Sequence, residues 1–341
     1  MALTGLDIFK LLPKTNCGEC GIPTCMAFAM KLASKNAELD ACPYASDAAK
    51  EKIGAASKPP MRLVKIGPAD HEVQVGSETV IFRHEKTFVH PTAIAIAFSD
   101  GQSAEELAHQ TADVREYCLE RVGEELRIEL ALVDNTTGEV DPFVAAVKAV
   151  AGGAGRGLIL KSSNLAALEA ALQVLEGQRP LIHAATPANA EAMADLALKY
   201  KAPLVAKADT LDALAALTTQ LVAKGVQDIV LDLSADNPAV TLQQNTIARK
   251  AALKGQVASL GYPVLNILTE TDLPALVADA ATLICKYAGI LVIDTLAYQA
   301  LLPMMMLRQN IYTDPQKPIQ VEPKVYPIGE ADANSPVLVT T

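Results

Sequence analysis

From residue 93 onward one pattern repeats. A short, continuously apolar run is followed by an amphipathic stretch of helical period. The apolar runs cover 93–98, 127–133, 157–161, 181–185, 204–208, 228–233, 264–268 and 289–294. The helical stretches cover 103–122, 142–151, 164–175, 187–199, 211–223, 241–260, 272–287 and 296–308. A strand covered by helices on both faces is apolar at every position, whereas a one-sided strand alternates. Runs such as Leu158-Ile159-Leu160 and Ile290-Leu291-Val292-Ile293 therefore predict a buried parallel sheet. Eight strands, each followed by a helix, predict an α/β fold of the TIM-type (β/α)8 barrel, with an open doubly wound sheet as the alternative. Aromatic residues make up only 4% and tryptophan is absent, so Ala, Leu and Val carry the packing. No G-x-G-x-x-G opens the pattern, which argues against a dinucleotide site. The glycine-rich 152–157 precedes a strand and reads as a helix-to-strand turn.

Ahead of the barrel, residues 1–57 form a small, mostly helical unit. Thr4 is placed to cap a first helix that Pro13 ends. Four of the six cysteines lie here, Cys17, Cys20, Cys25 and Cys42, spaced C-x2-C-x4-C-x16-C. Gly18 and Gly21 let the chain double back so that three thiolates approach one centre, and a helix over 26–39 returns the fourth. Such a set suits a 4Fe-4S cluster or a tetrahedral zinc. Structural zinc usually takes its cysteines as two close pairs; three crowded ligands and one distant one favour the cluster. Disulfides are disfavoured, because nothing else marks the chain as secreted. Ser46 is a plausible cap for a last short helix, and 58–60 reads as a linker. Three alternating runs, 62–67, 72–76 and 79–83, predict a β-hairpin or meander that closes one end of the barrel.

The chain divides on this reading into a cluster domain at 1–57, a linker and hairpin at 58–92, the barrel at 93–310 and an extended, proline-punctuated tail at 311–341. The last tail residues alternate like the start of a strand. The net charge of −10 argues against a nucleic-acid groove. No apolar run reaches about 18 residues and no signal-peptide pattern opens the chain, so a membrane span is not expected and a cytoplasmic location is. Cys118 and Cys285 sit alone in helical patterns and read as buried, inert thiols.

Chemistry in such a barrel gathers at the C-terminal ends of the strands. The polar residues there are Ser99, Asp100, Asp134, Asn135, Lys161, Ser162, His183, Thr186, Lys207, Asp209, Asp232, Ser234, Asn266, Thr269, Asp294 and Thr295. Asp232 and Asp294 are candidate acids or bases, and Lys207 a candidate phosphate or carbonyl holder. Asp209, Ser234 and Thr295 are equally placed to cap the next helix. His183 lies inside an apolar strand and reads as a satisfied core histidine. No catalytic set is assigned.

The residues Leu12-Pro13-Lys14-Thr15-Asn16-Cys17-Gly18-Glu19-Cys20-Gly21, with Pro23-Thr24-Cys25 and Ala41-Cys42-Pro43-Tyr44, resemble the cluster domain of the large (gamma) subunit of corrinoid iron–sulfur proteins in the acetyl-CoA decarbonylase/synthase system. The resemblance extends to Phe82-Arg83-His84-Glu85-Lys86, to Arg308 through Gln316 and to Asn334 through Thr341. It implies a 4Fe-4S cluster on Cys17, Cys20, Cys25 and Cys42, and cobalamin on a C-terminal domain expected to begin near Thr341, with Thr340 as a corrinoid contact. It implies a methyl carrier that passes methyl from a methyltetrahydropterin through cobalamin to acetyl-CoA synthase, while the cluster reductively restores Co(II) to Co(I). The partners it implies are a small corrinoid protein subunit, a methyltetrahydropterin-dependent methyltransferase, CO dehydrogenase/acetyl-CoA synthase and a low-potential donor such as ferredoxin. Two other readings stand beside it: an electron-transfer subunit without a corrinoid, and a barrel methyltransferase that binds the pterin itself.

Overall fold

The eight apolar runs close on themselves. In the computed structural model, which describes residues 4–33, 37, 39–46, 49–50, 60–313, 324–327 and 329–339, strands β3 (Ala93–Ser99), β6 (Leu130–Asp134), β7 (Gly157–Lys161), β8 (Leu181–Ala185), β9 (Leu204–Lys207), β10 (Ile229–Asp232), β11 (Val264–Ile267) and β12 (Ala288–Ile293) form a closed parallel barrel in chain order. Closure removes both sheet edges, which excludes the open-sheet alternative.

Period-two alternation sorts the side chains. Ala95, Leu132, Ile159, Val205, Val230, Leu265 and Val292 point inward and fill the barrel. Their neighbours, including Ile94, Val133, Leu160, Ala206 and Leu291, point outward beneath the helices. Each fully buried Val, Ile or Leu stabilises the fold by roughly 1.5–3 kcal/mol over leaving it exposed.

A hairpin of β1 (Val64–Ile66) and β2 (Val73–Val75) plugs the end where the barrel strands begin. Val64, Ile66 and Val75 join the interior apolar cluster. The Gly67 and Arg62 amides donate to the carbonyls of Arg179 and Gly261, which lie just before β8 and β11. The third alternating run, 79–83, is not a strand. The amides of Ile81 and Phe82 donate to the Glu85 carboxylate at 3.3 and 3.2 Å instead of joining a ladder.

Most helix ends shift by a few residues from the sequence reading, and some boundaries differ for a visible reason. The helix expected over 103–122 is Ala104–Glu116, and the chain then makes a second hairpin, β4 (Leu119–Arg121) and β5 (Glu124–Leu126). Val122 and Gly123 both take positive φ, 53° and 74°, as a two-residue hairpin turn requires. The strand expected from 127 starts at Leu130, because the Glu129 carboxylate takes the Ile94 amide and the Arg308 guanidinium. The helix expected over 241–260 ends at Leu253, and a short 3-10 turn, Ala258–Leu260, follows.

In the N-terminal unit, Thr4 and Asp7 form a reciprocal cap on the helix Gly5–Leu11. The helix expected over 26–39 is shorter, Cys25–Ala33, and a 3-10 turn, Leu39–Ala41, precedes Cys42. Ser46 accepts from the Ala49 amide at 3.2 Å, and the helix it was expected to open lies mostly outside the described residues. Ile8, Leu12, Phe28, Ala29 and Leu32 make a separate small core. In the tail, residues 336–339 join no ladder; Val337, Leu338 and Val339 are exposed. Thr340 lies outside the described residues.

Candidate functional site

The cysteine loop is built by backbone conformations that most residues avoid. Lys14, Asn16, Gly18 and Gly21 all take positive φ, at 60°, 48°, 75° and 77°. Glycine adopts this region freely and asparagine does so more readily than most side chains. The space where a side chain on Gly18 or Gly21 would stand holds no atom within 4 Å, which leaves room beside the loop. The Gly21 amide closes the turn onto the Gly18 carbonyl at 2.9 Å. Cys25 then opens the helix Cys25–Ala33.

Cys25 and Cys42 are buried, Cys20 is half-buried and Cys17 is exposed. Cys20, Cys25 and Cys42 all pack on the small core. The hydrogen bond and charge of Glu19 push the Tyr44 phenol up, away from ionisation, and Cys17 and Cys42 lie close enough to add smaller effects in the same direction. The Tyr44 hydroxyl donates to the Glu19 carboxylate at 3.0 Å and ties the tip of the loop to the segment after Cys42. Among the described residues no three His, Cys, Asp or Glu side chains stand in position to hold a single metal ion. A four-iron cluster takes each thiolate on a separate iron, so its ligands stand farther apart than those around one ion. An all-cysteine donor set and open space beside two glycines together fit such a cluster.

The mouth of the barrel is a second concentration of polar groups. The same parity that sends Leu132, Ile159, Val205 and Val230 inward also sends Asp134, Lys161, Lys207 and Asp232 inward, one step nearer the open end. His183 stands level with Lys161 on the neighbouring strand. Lys161 Nζ meets Asp134 Oδ2 at 2.6 Å. Asp232 Oδ2 accepts from both His183 Nε2 and Lys207 Nζ at 2.9 Å, and its Oδ1 takes the Ser234 amide at 2.8 Å. Burial pushes the Asp232 carboxyl up, but the His183 bond and charge, the Lys207 charge and the Ser234 bond outweigh it and hold the group well below the carboxylate range. A carboxylate so satisfied is a counterion, not a proton donor.

Several other polar groups of the mouth have structural partners, while Asp294 is exposed. Asp100 accepts from the amides and hydroxyls of Thr136 and Thr137. Asn135 donates to Ser162 at 2.7 Å. Thr210, not Asp209, caps the helix Leu211–Ala223. Ser234 accepts from the Ile267 amide, and Asn237 caps the helix Pro238–Leu253. Thr295 accepts from the Ala297 amide, two residues on. Asn266 does not face the mouth; its amide pairs with Asn245 of the covering helix at 2.8 Å.

Sequence reasoning missed the polar groups at the closed end. Arg249, 4% exposed, pairs with Glu78 at 2.9 Å and lies over the rings of Phe88 and Tyr287. Arg308 binds Glu129 and the Thr92 carbonyl. Arg83 donates to the carbonyls of Asn310, Ile311 and Thr313 where the helix Tyr298–Tyr312 ends. No local spacing marks these groups, because their partners lie far away in the chain.

A TIM-type barrel preceded by an N-terminal unit with a four-cysteine loop defines a class: a barrel subunit with an iron–sulfur unit ahead of it. Residues 12–44 match the family model for a putative Fe-S cluster, and residues 63–341 match that for the CO dehydrogenase/acetyl-CoA synthase delta subunit. The corrinoid/iron-sulfur protein large subunit of Moorella thermoacetica is 43% identical over 341 residues, which is 100% of this chain and 76% of that protein. The acetyl-CoA decarbonylase/synthase complex subunits gamma of Methanothermobacter thermautotrophicus and Methanopyrus kandleri are 35% and 36% identical, over 100% and 99% of this chain and 77% and 76% of theirs. The delta-subunit model stops short of the cysteine loop, whereas the gamma-type relatives align across it. The chain belongs to the family of corrinoid/iron–sulfur large, or gamma, subunits of the acetyl-CoA decarbonylase/synthase system. Among the described residues no helix is long and apolar enough to cross a membrane.

Proposed function

We propose that this chain is the large subunit of a corrinoid methyl carrier, with an electron relay on its N-terminal unit. Cys17, Cys20, Cys25 and Cys42 hold a 4Fe-4S cluster. When bound, the cluster supplies one-electron transfer and the corrinoid supplies the methyl-carrying metal. The chain's own part is placement. One observation carries this reading: the N-terminal unit and the tail join the barrel at the same, closed end. Arg62, which follows the linker, is bonded at Gly261, and the last helix ends beside Thr92, whose hydroxyl lies 3.3 Å from the Tyr312 hydroxyl. A one-electron donor ahead of Arg62 and a group carried beyond Tyr312 would thereby be attached at the same end of the barrel.

The methyl donor in this reading is a methyltetrahydropterin-dependent methyltransferase and the acceptor is CO dehydrogenase/acetyl-CoA synthase. A small corrinoid protein subunit and a low-potential donor such as ferredoxin complete the partners. Thr340 is the tail residue assigned to the corrinoid. Anaerobic purification of the native complex that contains this chain tests the reading. About four irons with matching sulfide, an S = 1/2 signal after dithionite and a corrinoid absorbance band are expected. Iron and sulfide without the corrinoid band would leave an electron-transfer subunit. Pterin binding by this chain alone would turn the assignment to a barrel methyltransferase.

A further inference from the structure

Between Asn16 and Cys25 a side chain reaches across the cysteine loop. Asn16 Oδ1 accepts the Cys25 amide at 2.8 Å, nine residues away. Thr24 Oγ1 takes the Ala27 amide at 3.2 Å, so two amides of the first turn are satisfied from outside the helix. Asn16 also holds φ at 48°, beside the exposed Cys17, whereas Cys25 is buried. One residue thus bears on both cysteines: its backbone turns the chain into Cys17, and its side chain holds the amide from which Cys25 enters the helix. Among common residues, asparagine is unusual in meeting both demands: it tolerates the left-handed region and offers a neutral acceptor.

We propose that Asn16 is the positioning residue of the iron–sulfur site and sets the spacing between Cys17 and Cys25 before the cluster arrives. The inference rests on the four-cysteine reading. Asn16 need not touch the cluster; it acts through the Cys25 backbone. Outer groups that orient ligands matter to metal sites nearly as much as the ligands do. Replacing Asn16 separates its two contributions. Asn16→Gly keeps the backbone conformation and loses the acceptor. Asn16→Asp keeps the acceptor and adds a negative charge near the cluster. Asn16→Ala loses both.

The experiment is anaerobic cluster reconstitution of the whole chain and its three variants. Iron and sulfide content, the rate of cluster loss to a chelator, the EPR line shape and the reduction potential are then measured. Loss is expected to be about 10- to 100-fold faster in Asn16→Ala than in the unaltered chain, with Asn16→Gly intermediate. Asn16→Asp is expected to retain its cluster with a potential displaced to more negative values, because added negative charge disfavours the incoming electron. That retention also shows that an altered residue 16 does not itself unfold the unit. Asn16→Gly and Asn16→Ala that hold the cluster as firmly as the unaltered chain, with unchanged line shape and potential, would overturn the inference. Failure of the unaltered chain to take up iron and sulfide is a different result: it would overturn the four-cysteine reading and the inference with it.

Discussion

Arg83 caps the last barrel helix through Ile311. Its Nε donates to the Ile311 carbonyl at 2.8 Å, and Nη2 adds Asn310 and Thr313 at 2.8 and 3.0 Å. The last carbonyls of a helix have no partner within it, and a planar guanidinium supplies several donors at fixed angles. Because this cap also fixes where the tail departs, Arg83→Ala is expected to destabilise the barrel by about 1–3 kcal/mol, and Arg83→Lys to recover little of it. Chemical denaturation read by circular dichroism checks this. Equal midpoints for the lysine variant and the unaltered chain would contradict the geometric account.

At the mouth, the sign of the Asp232 displacement fixes a pH dependence. An acid held below its unfolded value binds fewer protons when folded, so stability rises with pH while the unfolded chain is still titrating. This contribution is fully present above the unfolded value of about 4 and is lost as the pH falls toward the folded one. The denaturation midpoint is expected to start dropping below about pH 4, to go on dropping as the pH falls toward the folded value, and to drop less in Asp232→Asn. That variant leaves Lys207 and His183 facing a neutral amide, so it should also be less stable at neutral pH. An acid limb of unchanged steepness would show that other carboxylates carry it.

The Glu78–Arg249 pair is nearly closed to water, with side chains 8% and 4% exposed. Removing one member of a buried pair strands the other, at a cost of about 3–5 kcal/mol. Arg249 also donates to the Val80 carbonyl and lies over two rings, so Arg249→Met should cost at least as much as Glu78→Gln. The double variant should cost clearly less than the two single changes summed, because neither charge is then left alone. Additive losses in a double-mutant cycle would mean that the two groups do not interact as the geometry requires.

The parallel strands were legible in the sequence because burial on both faces writes itself as unbroken apolar runs such as Leu158-Ile159-Leu160, whereas closure of the sheet into a barrel was decided only by the pairing of β12 with β3. What escaped was decided by distant contacts. Glu129 reads as part of a strand but spends its side chain on Ile94 and Arg308. Residues 79–83 alternate like a strand, yet Glu85 captures their amides. The hairpin at Leu119–Leu126 did carry a local signal, Gly123 between short alternating runs, which the helical period upstream obscured. In the cysteine loop the candidate ligands stood out by their spacing. The roles of Asn16 and Glu19 were not, since each depends on a residue that only folding brings near.

Thiol reactivity separates the six cysteines by environment. Cys118 is exposed. Burial pushes the Cys285 thiol up, with Lys286 opposing only in part, so little of it is thiolate near neutral pH. In the cluster-loaded chain at pH 8, iodoacetamide is expected to modify Cys118 first and Cys285 slowly, and to spare Cys17, Cys20, Cys25 and Cys42. After the cluster is stripped by a chelator, Cys17 should react ahead of Cys25 and Cys42, which are buried in the small core. Peptide mapping by mass spectrometry gives all six rates at once. Because only ligation, and not burial, distinguishes Cys17 from Cys118, equal labelling of those two in the loaded chain would remove Cys17 from the ligand set.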